Sequence, residues 1–446
     1  MGMARDMAAV ALLLMLSAIV GAGSAAEEAF DVRKHLSTVT RYGAGKDVAN
    51  NAYVPSSVPD GCTPIHLNLV ARHGTRSPTK KRMRELENLA SHIQELVKDA
   101  EEKNLAQIVP AWLRGWTSPW KGKVKGGELI SKGEDELYDL GIRIRERFPE
   151  LFSQDYHPDM YTLKATQNFR KKQEPAVDKL KEPILDEITG AIASRYKLNF
   201  TRQDTSSLWF LCKQEASLLD ITNQACALFN PDEMALLEWT DDLEVFILKG
   251  YGKALNYRMG VPLLKDVVQS MEEAIQANEE KHPPGSYEKA RLRFAHAETV
   301  VPFSCLLGLF LEGSEFQQIQ REQPLPLPPK PPHNRNWMGS IVAPFSGNNM
   351  LVLYSCPANL SNKYYVQVLH NEHPTPMPGC GGADSCPFEV FKEKIAAPHL
   401  KHDYDALCNV KADQVELSSG NSKLSALYHW LFPSGINEPG SHGNEL

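Results

Sequence analysis

The stretch Ile65–Pro78 reads IHLNLVARHGTRSP and decides the fold. Its first half is typical of a β-strand, because large apolar residues stand at every second position from Ile65. Gly74 follows and permits a sharp turn of the backbone where the strand ends. Pro78 stands where a helix can begin, and an amphipathic segment comes after it. The stretch therefore predicts a strand, a turn and a helix.

Two arginines flank a histidine at the end of this predicted strand. Ligands of open α/β sheets bind outside the carboxyl ends of the strands, which is where Arg72, His73 and Arg76 fall. Two guanidinium groups can grip a tetrahedral oxyanion bidentately, and a histidine between them can attack phosphorus. A lone Arg-His pair is more often a solvated strand end. The complete pattern Arg-His-Gly-x-Arg-x-Pro, directly after a strand, favours the chemical interpretation.

The segment Arg72–Pro78 resembles the signature of the histidine acid phosphatases. The resemblance implies that His73 is the phosphate-accepting nucleophile and that Arg72 and Arg76 bind the phosphate group. It also implies a partner motif far along the chain. An alternative among enzymes is the phosphoglycerate-mutase group, which shares Arg-His-Gly. The second arginine, the proline and the secretory signal described below disfavour that alternative.

The partner motif is predicted at 290–299. Residues 290–295 predict a strand, His296-Ala297-Glu298 follows, and the apolar run 300–311 predicts a buried helix. Alone, His-x-Glu is more often structural. Together with the first motif it supplies His296 as a hydrogen-bond donor to phosphate and Glu298 as a general acid. Histidine acid phosphatases generally carry His-Asp here, and the His-Ala-Glu form resembles the multiple inositol polyphosphate phosphatases, the branch that includes phytases, with plant members the most similar. This resemblance implies phytate and lower inositol polyphosphates as substrates.

One segment departs from the family pattern. In the family, a strand like that of residues 161–167 leads into a Ser- and Ala-rich helix that carries a third phosphate-binding arginine. Here residues 168–174 follow at once and resemble a stretch that the family places much later. Arg170 falls near the place of the third arginine and is a candidate ligand; the alternative is a solvent-facing charge, as in most charged runs. The departure supports an alternative function: a catalytically weakened or inactive secreted glycoprotein that binds phosphorylated ligands.

The predicted fold class is α/β, a mixed sheet flanked by helices with an inserted all-helical cap, as in the histidine phosphatase fold. The predicted core comprises residues 26–80, 128–170 and 285–435, the cap comprises 81–127 and 171–284, and residues 436–446 form a tail. Residues 349–354 and 364–370 predict two further strands, paired as an antiparallel edge hairpin.

Two helices border the first motif. The apolar stripe of the first helix consists of Leu86, Leu89, Ile93, Leu96 and Val97. Its first residues, Lys80 and Lys81, are tentative substrate contacts, because basic residues at a cleft concentrate anions, and a solvated helix face is the alternative. The second helix is predicted to begin at Ser131, which forms a capping box with Glu134.

The N terminus predicts a secretory signal peptide at residues 1–25. Arg5 precedes an apolar run that is shorter than a bilayer requires, and small residues follow. Eight cysteines agree with this compartment; Cys380–Cys386 is the most plausible local disulfide, and the other pairings stay open. Asn199 and Asn359 begin glycosylation sequons. The final Asn-Glu-Leu only weakly resembles an ER-retrieval signal, so the extracellular space, the vacuole and the ER are all open.

The composition excludes some classes of partner. A net charge of −7 argues against nucleic acid, but it says little about a small anion, whose binding depends on local charge. The chain has no CxxC pair and its spaced histidines fall in predicted loops, so no metal and no cofactor are expected. The expected partner is a small inositol phosphate, no membrane span is expected in the mature chain, and the expected oligomeric state is a monomer.

The two motifs also predict opposite pKa shifts. The charges of Arg72 and Arg76 should lower the pKa of His73 and keep its imidazole neutral for attack. Burial or a nearby phosphate dianion should raise the pKa of Glu298, which must be protonated to act as a general acid. Activity is therefore expected on the acid side of neutrality.

Overall fold

The computed structural model describes residues 30–44, 56–165, 175–283, 285–358 and 360–401. Of the leading unit, residues 1–31, it describes only Phe30 and Asp31, and the fold below belongs to the second unit, which begins at Val32. Four sequence predictions lie outside the described residues: the signal peptide at 1–25, Arg170, Asn359 and the tail at 436–446.

A mixed seven-stranded sheet organises the second unit, as the sequence predicts. Its strands are β1 Thr63–Arg72, β2 Tyr161–Ala165, β3 Ala290–Ala295, β4 Asn348–Ser355, β5 Tyr364–His370, β6 His373–Pro374 and β7 Ser385–Pro387. The strand order is β2-β3-β1-β4-β5-β6, and β7 also pairs with β5. The pairs β2–β3 and β3–β1 are parallel, and the others are antiparallel. The predicted hairpin is confirmed as β4–β5, but it is not at the edge, because β6 and β7 pair with β5.

β1 is buried on both faces of the sheet. Its polar residues are not exposed, because a helix covers them. Asn68 Nδ2 donates to Ser270 Oγ at 3.0 Å, and His66 Nε2 lies 3.2 Å from the same oxygen. Burial lowers the pKa of His66 to about 4, so this histidine is neutral in the folded protein near neutral pH. β1 therefore acts as a central strand whose end is held in place from both sides.

Helices cover both faces of the sheet. Those described are α1 Lys80–Glu102, α2 Ser131–Arg147, α3 Pro175–Tyr196, α4 Arg202–Gln214, α5 Pro231–Leu248, α6 Ala254–Arg258, α7 Val261–Glu279, α8 Ala297–Leu306, α9 Gly313–Gln320, α10 Gly339–Val342, α11 Phe388–Phe391 and α12 Ala397–Leu400. Leu140 of α2 packs with Leu67 on one face, whereas α7 and α8 pack on the other. Within the described ranges, no helix has both the length and the apolar composition that crossing a bilayer requires.

A second apolar cluster joins α1, α3, α4 and α5. The predicted stripe of α1 is confirmed, since its residues are buried in this cluster with Ile188 of α3 and Leu208 of α4. α7 lies in the range 171–284 that was predicted as cap, yet its Val267 and Met271 share a cluster with Val70 of β1. The boundaries between core and cap stay a prediction.

The starts of α1 and α2 are built differently. Thr79 caps α1, and its side chain accepts a hydrogen bond from the backbone nitrogen of Arg82. The predicted capping box of Ser131 is wrong, because Ile130 occupies the N-cap and Ser131 is already helical. The backbone N–H of Ile130 donates to the carbonyl of Thr75 at 3.2 Å, and this contact holds Ile130 extended directly before the helix.

Disulfides join six of the described cysteines in the pairs Cys62–Cys356, Cys212–Cys226 and Cys380–Cys386. The last is the local pair that the sequence predicts. The first links the residue before β1 to the residue after β4, and these two strands are antiparallel neighbours. The disulfide therefore closes the end of the sheet that lies opposite the carboxyl end of β1.

Glu215 is a buried carboxyl group at the end of α4, only 1% exposed. Its Oε2 accepts a hydrogen bond from the backbone nitrogen of Ala225 at 3.1 Å. Burial raises the pKa of Glu215 to about 7, and the hydrogen bond opposes this only in part. An unfolded glutamate titrates near about 4.3, so the folded protein binds an extra proton between these two values.

We expect Glu215→Gln to change how stability depends on pH. Because the folded-state pKa is raised, the contribution of Glu215 to stability is largest at acid pH and is lost as the pH rises towards 7. Glutamine has nearly the same shape and no charge. The melting temperature of the variant minus that of the wild type should therefore increase between about pH 5 and pH 8. Thermal denaturation measures this difference, with the exposed Glu134→Gln as control; a difference that does not vary with pH would contradict the expectation.

Candidate active site

The two sequence motifs meet at the carboxyl ends of β1 and β3. These strands are parallel neighbours, and their register places Arg72 opposite Ala295. The next residues, His73 and His296, therefore lie side by side, with ring centroids 5.2 Å apart. The backbone N–H of His73 donates to the carbonyl of Ala295 at 2.9 Å, which extends the strand pairing to the first histidine.

His73 is held in the form that a nucleophile needs. Its Nδ1 lies 2.8 Å from the carbonyl oxygen of Gly74, and because a carbonyl can only accept, Nδ1 carries the proton. Nε2 then keeps the lone pair for attack. Burial, followed by the charges of Arg72 and Arg76, lowers the pKa of His73 to about 3. The shift has the direction that the sequence predicts.

Arg72 is a buried and anchored cation. Its Nη1 donates to the backbone carbonyls of Ala343 and Thr38, and its guanidinium group lies 4.5 Å from the ring centroid of Phe345. Burial lowers the pKa of Arg72 to about 10, which leaves the group charged at neutral pH. Its Nε is buried and has no hydrogen-bond partner among the residues that the structure describes. Arg72 is therefore a fixed positive charge at the end of β1.

Arg76 and His296 are partly buried beside this charge. Burial lowers the pKa of Arg76, and the negative charge of Glu298 opposes that shift. Burial, and after it the charge of Arg76, lowers the pKa of His296. The Nδ1 of His296 is buried and has no hydrogen-bond partner within the described part of the chain. Two cations and two uncharged imidazoles therefore meet at one place at neutral pH.

Glu298 lies in the first turn of α8 and forms an ion pair with Lys249, the residue that ends α5. The Nζ of Lys249 is 3.0 Å from Oε1 of Glu298. Burial raises the pKa of Glu298, but the charge and the hydrogen bond of Lys249 outweigh it, with a smaller effect of Arg72, and lower it to about 2. The predicted upward shift is therefore wrong for this structure. Nothing in the sequence near Lys249 signals the contact, because it joins the ends of two helices far apart in the chain.

Close backbone packing fixes the turn after His73. A Cβ atom on Gly74 would lie 1.9 Å from the carbonyl oxygen of Gly133, and one on Gly133 would lie 2.1 Å from the carbonyl oxygen of Thr75. Gly74 is thus required by a close approach to α2, in addition to the turn that the sequence predicts. Glu136 of α2 accepts hydrogen bonds from the backbone nitrogen and the hydroxyl group of Thr75, both at 2.9 Å. Sequence reasoning missed Glu136, which carries no motif.

A cavity of about 420 Å³ borders this turn at Glu136. Its lining contains arginines and carboxylates that largely neutralise one another. Arg41 lies 3.2 Å from Asp220 and 3.7 Å from Glu136, and Arg143 makes two hydrogen bonds of 2.8 Å to Glu372. Its lining residues do not include Arg72, His73, Arg76, His296 or Glu298, so the cavity lies on the other side of Glu136 from the reacting groups.

The other predicted site residues remain predictions. Lys80 and Lys81 are exposed in the first turn of α1, where Lys81 lies 4.0 Å from Glu85. Asn199 is exposed, as a glycosylation site must be. Arg170 and Asn359 lie outside the described residues. Over the ranges that are described, no group of three or more His, Cys, Asp or Glu residues is placed to hold a metal ion.

Comparison with protein families supports the sequence resemblance. The model of the histidine phosphatase superfamily (branch 2) matches residues 65–170 and 161–371, which together span more than half of the chain. The two matched stretches overlap at 161–170, the place where the sequence departs from the family pattern after β2.

Several known proteins are similar over most of the chain. The multiple inositol polyphosphate phosphatase 1 of Homo sapiens is 23% identical over 390 residues, which cover 72% of this chain and 77% of the human protein. The multiple inositol polyphosphate phosphatase 1 of Gallus gallus is 24% identical over 82% of this chain and 89% of the chicken protein. A thiamine-repressible acid phosphatase of Schizosaccharomyces pombe is 24% identical over 83% of this chain and 89% of the yeast protein.

Solved structures agree with the fold. The phytase from D. castellii has a TM-score of 0.60 at 16% identity and covers 87% of this chain and 92% of its own. The Bifidobacterium longum multiple inositol polyphosphate phosphatase, in complex with inositol hexasulfate, has a TM-score of 0.58 at 16% identity. The match covers 84% of this chain and 99% of the bacterial chain. The likeness supports the histidine phosphatase fold that the sequence predicts.

Gly133→Ala should displace the turn that carries the first motif, because the added methyl group meets the backbone of Thr75. A displacement of about 1 Å can reduce the rate about a hundredfold, and we expect a loss of that order in phosphate release from p-nitrophenyl phosphate. Gly141→Ala is the matched control, since it lies in the same helix and an added Cβ meets nothing within 4 Å. Equal activities of the two variants would show that the close contact with α2 does not position the site.

Proposed function

The chain belongs to branch 2 of the histidine phosphatase superfamily, and we propose that it is a histidine acid phosphatase of the phytase type. In this proposal it hydrolyses phosphomonoester groups of phytate and other inositol polyphosphates through a phosphohistidine on His73. The pairing of β1 with β3 carries the proposal, because it joins an uncharged His73 and two arginines to His296 and Glu298.

In the first half of the proposed reaction, Arg72 and Arg76 bind the phosphoryl oxygens of the substrate. Nε2 of His73 attacks phosphorus while the bond from phosphorus to the leaving oxygen breaks. The arginines neutralise the charge of the phosphoryl group as it transfers, and His296 donates a hydrogen bond to it. Glu298 gives its proton to the leaving alkoxide, which departs as an alcohol.

The second half returns the enzyme to its starting state. A water molecule attacks the phosphorus of the phosphohistidine, and the Glu298 carboxylate accepts a proton from that water. The nitrogen–phosphorus bond breaks, inorganic phosphate forms, and His73 regains its lone pair. One carboxyl group thus serves as acid and then as base.

The names of similar proteins support inositol polyphosphates as the substrate class. Relatives from human and chicken are multiple inositol polyphosphate phosphatases. The catalytically inactive alternative is not favoured, because relatives that match most of the chain are named as phosphatases.

We further infer that the protein acts in the secretory pathway, in the extracellular space, the vacuole or the ER, as a monomer. The disulfides agree with an oxidising compartment. Exposed Asn199 is open to a glycan there. Asn359, Arg170, Lys80 and Lys81 keep the roles that the sequence suggests for them.

His73→Ala should reduce phosphate release from phytate and from p-nitrophenyl phosphate by at least about a thousandfold, since the covalent intermediate cannot form. Wild-type protein that is quenched in alkali during turnover should carry phosphate on His73, and peptide mass spectrometry locates it. The exposed His157→Ala is the control and should keep its activity. Phosphate trapped on any other residue would overturn the assignment of His73.

Glu298→Gln should slow the hydrolysis of phytate far more than that of p-nitrophenyl phosphate, by about a hundredfold against less than about tenfold, because nitrophenolate leaves without much proton transfer and an inositol alkoxide does not. The pKa of His73 is lowered to about 3, so this residue stays neutral down to that pH. The acid limb of kcat/KM with p-nitrophenyl phosphate should therefore lie near pH 3 to 4 and not near the usual histidine value of about 6.5. Equal losses on both substrates would remove Glu298 from the role of general acid.

A further inference from the structure

The ion pair between Lys249 and Glu298 conflicts with proton donation. A carboxyl group must be protonated to act as an acid, yet Nζ of Lys249 lies 3.0 Å from Oε1 of Glu298 and favours the carboxylate. The two helices add to this preference. Lys249 ends α5, where the helix dipole favours a cation, and Glu298 lies in the first turn of α8, where it favours an anion.

Other charged groups face the pair as well. Arg72, Arg76 and His296 lie around Glu298, and Glu244 interacts with Lys249. Among the influences that lower the pKa of Glu298, Lys249 is the largest, and burial acts in the opposite direction. Loss of the Lys249 contact would therefore favour the protonated form of Glu298, even though both arginines stay in place.

The side chain of Lys249 is partly exposed, whereas its backbone is held by hydrogen bonds and close packing. The backbone nitrogen donates to the carbonyl of Val245 at 3.0 Å. The next residue, Gly250, packs so closely on Trp337 that a Cβ on Gly250 would lie 2.5 Å from the indole ring. The carbonyl of Gly250 also accepts a 3.0 Å hydrogen bond from Asn256 Nδ2. The Lys249 side chain is 22% exposed and its partner is 31% exposed, so an anion from solvent can reach both ends of the contact.

We propose that Lys249 is a positioning residue that makes proton donation by Glu298 depend on a second phosphate group of the substrate. The inference rests on the proposed function. While one phosphate group occupies the arginines, a neighbouring phosphate group of an inositol polyphosphate binds the Lys249 ammonium group and draws it from Glu298. Glu298 then takes a proton from solvent and gives it to the leaving oxygen as the phosphorus–oxygen bond breaks and the bond to His73 Nε2 forms.

A substrate with a single phosphate group cannot draw Lys249 away from Glu298. Its one phosphate group is held at the arginines, Lys249 stays on Glu298, and the leaving alkoxide receives no proton. The same contact therefore selects polyphosphorylated alcohols over monophosphates through the chemical step, in addition to any effect on binding.

Kinetics of three variants on three substrates test the proposal. Lys249→Met should raise kcat/KM for glycerol 2-phosphate at pH 5 by about tenfold for each unit by which the pKa of Glu298 rises, and should move the alkaline limb to higher pH. For phytate it should lower kcat/KM, chiefly through KM. Lys249→Arg should restore the wild-type preference, and Lys253→Met, an exposed lysine four positions on, should leave both substrates unchanged. p-Nitrophenyl phosphate should respond little.

Two results would overturn the role of Lys249. Losses of the same size on phytate and glycerol 2-phosphate would indicate a purely structural or binding residue. An alkaline limb for glycerol 2-phosphate that does not move in Lys249→Met would show that Lys249 does not control the proton of Glu298. If the wild type hydrolyses none of the substrates, the proposed function itself fails, and the following titration still tests the contact.

Nuclear magnetic resonance of ¹³C-labelled glutamate gives a readout without turnover. The carboxyl signal of Glu298 is identified by its loss in Glu298→Gln, and it is titrated in the presence of inositol hexasulfate or of inorganic sulfate. In the wild type, inositol hexasulfate should raise the pKa of Glu298 more than it does in Lys249→Met, because only the wild type also loses the lysine contact. Inorganic sulfate, which brings a single anionic group, should raise the pKa by the same amount in both proteins. If inositol hexasulfate raises the pKa of Glu298 by the same amount in the wild type and in Lys249→Met, the proposed release of Lys249 from Glu298 is refuted.

Discussion

The parallel pairing of β1 with β3 is the constraint on which the candidate site depends. It converts two motifs that are far apart in the chain into neighbours, because Arg72 and Ala295 are opposite one another and a histidine follows each. Parallel neighbours require a long connection, and the chain between β1 and β3 contains α1 to α7 as well as the outer strand β2. β4 pairs with the other side of β1, so the strand that leads to His73 is hydrogen-bonded on both sides. The contact between Gly74 and Gly133 then fixes the turn that follows the strand.

Placing cations in a partly buried site creates a second constraint. Burial and the charges of Arg72 and Arg76 keep His73 neutral, but the two arginine charges need compensation where solvent is limited. Backbone carbonyls supply part of it for Arg72, and Glu298 supplies another part for both arginines. In the proposed mechanism, the carboxylate that stabilises the arginines is the same group that has to be protonated. For this reason the ion pair between Lys249 and Glu298 bears directly on the proposed reaction.

The sequence predicts those features that depend on local pattern. β1 and the buried stripe of α1 follow from periodicity, and the meeting of His73 with His296 follows from two strand–turn motifs at carboxyl ends. The sequence does not predict contacts between residues that are far apart in the chain and carry no motif. Glu136 lies in α2 and Lys249 directly follows α5; neither belongs to a motif, and their roles arise only from packing. The predicted upward shift of the Glu298 pKa is wrong for this reason. Burial, which raises the pKa, can be anticipated from the sequence, but the contact with Lys249, which outweighs burial, cannot.

The departure from the family pattern after β2 affects the sheet at its outer strand. β2 is hydrogen-bonded to β3 on one side, and the two stretches that match the family model overlap at residues 161–170. Changes in length are best tolerated in connections at the surface, and one that follows an outer strand leaves the pairing of β3, β1 and β4 unaltered. Arg72, His73, His296 and Glu298 lie on β1, β3 and α8 or directly after them, and not on the connection that follows β2. For the proposed reaction, loss of a third arginine with that segment would therefore weaken the binding of phosphate while leaving His73 and Glu298 in place.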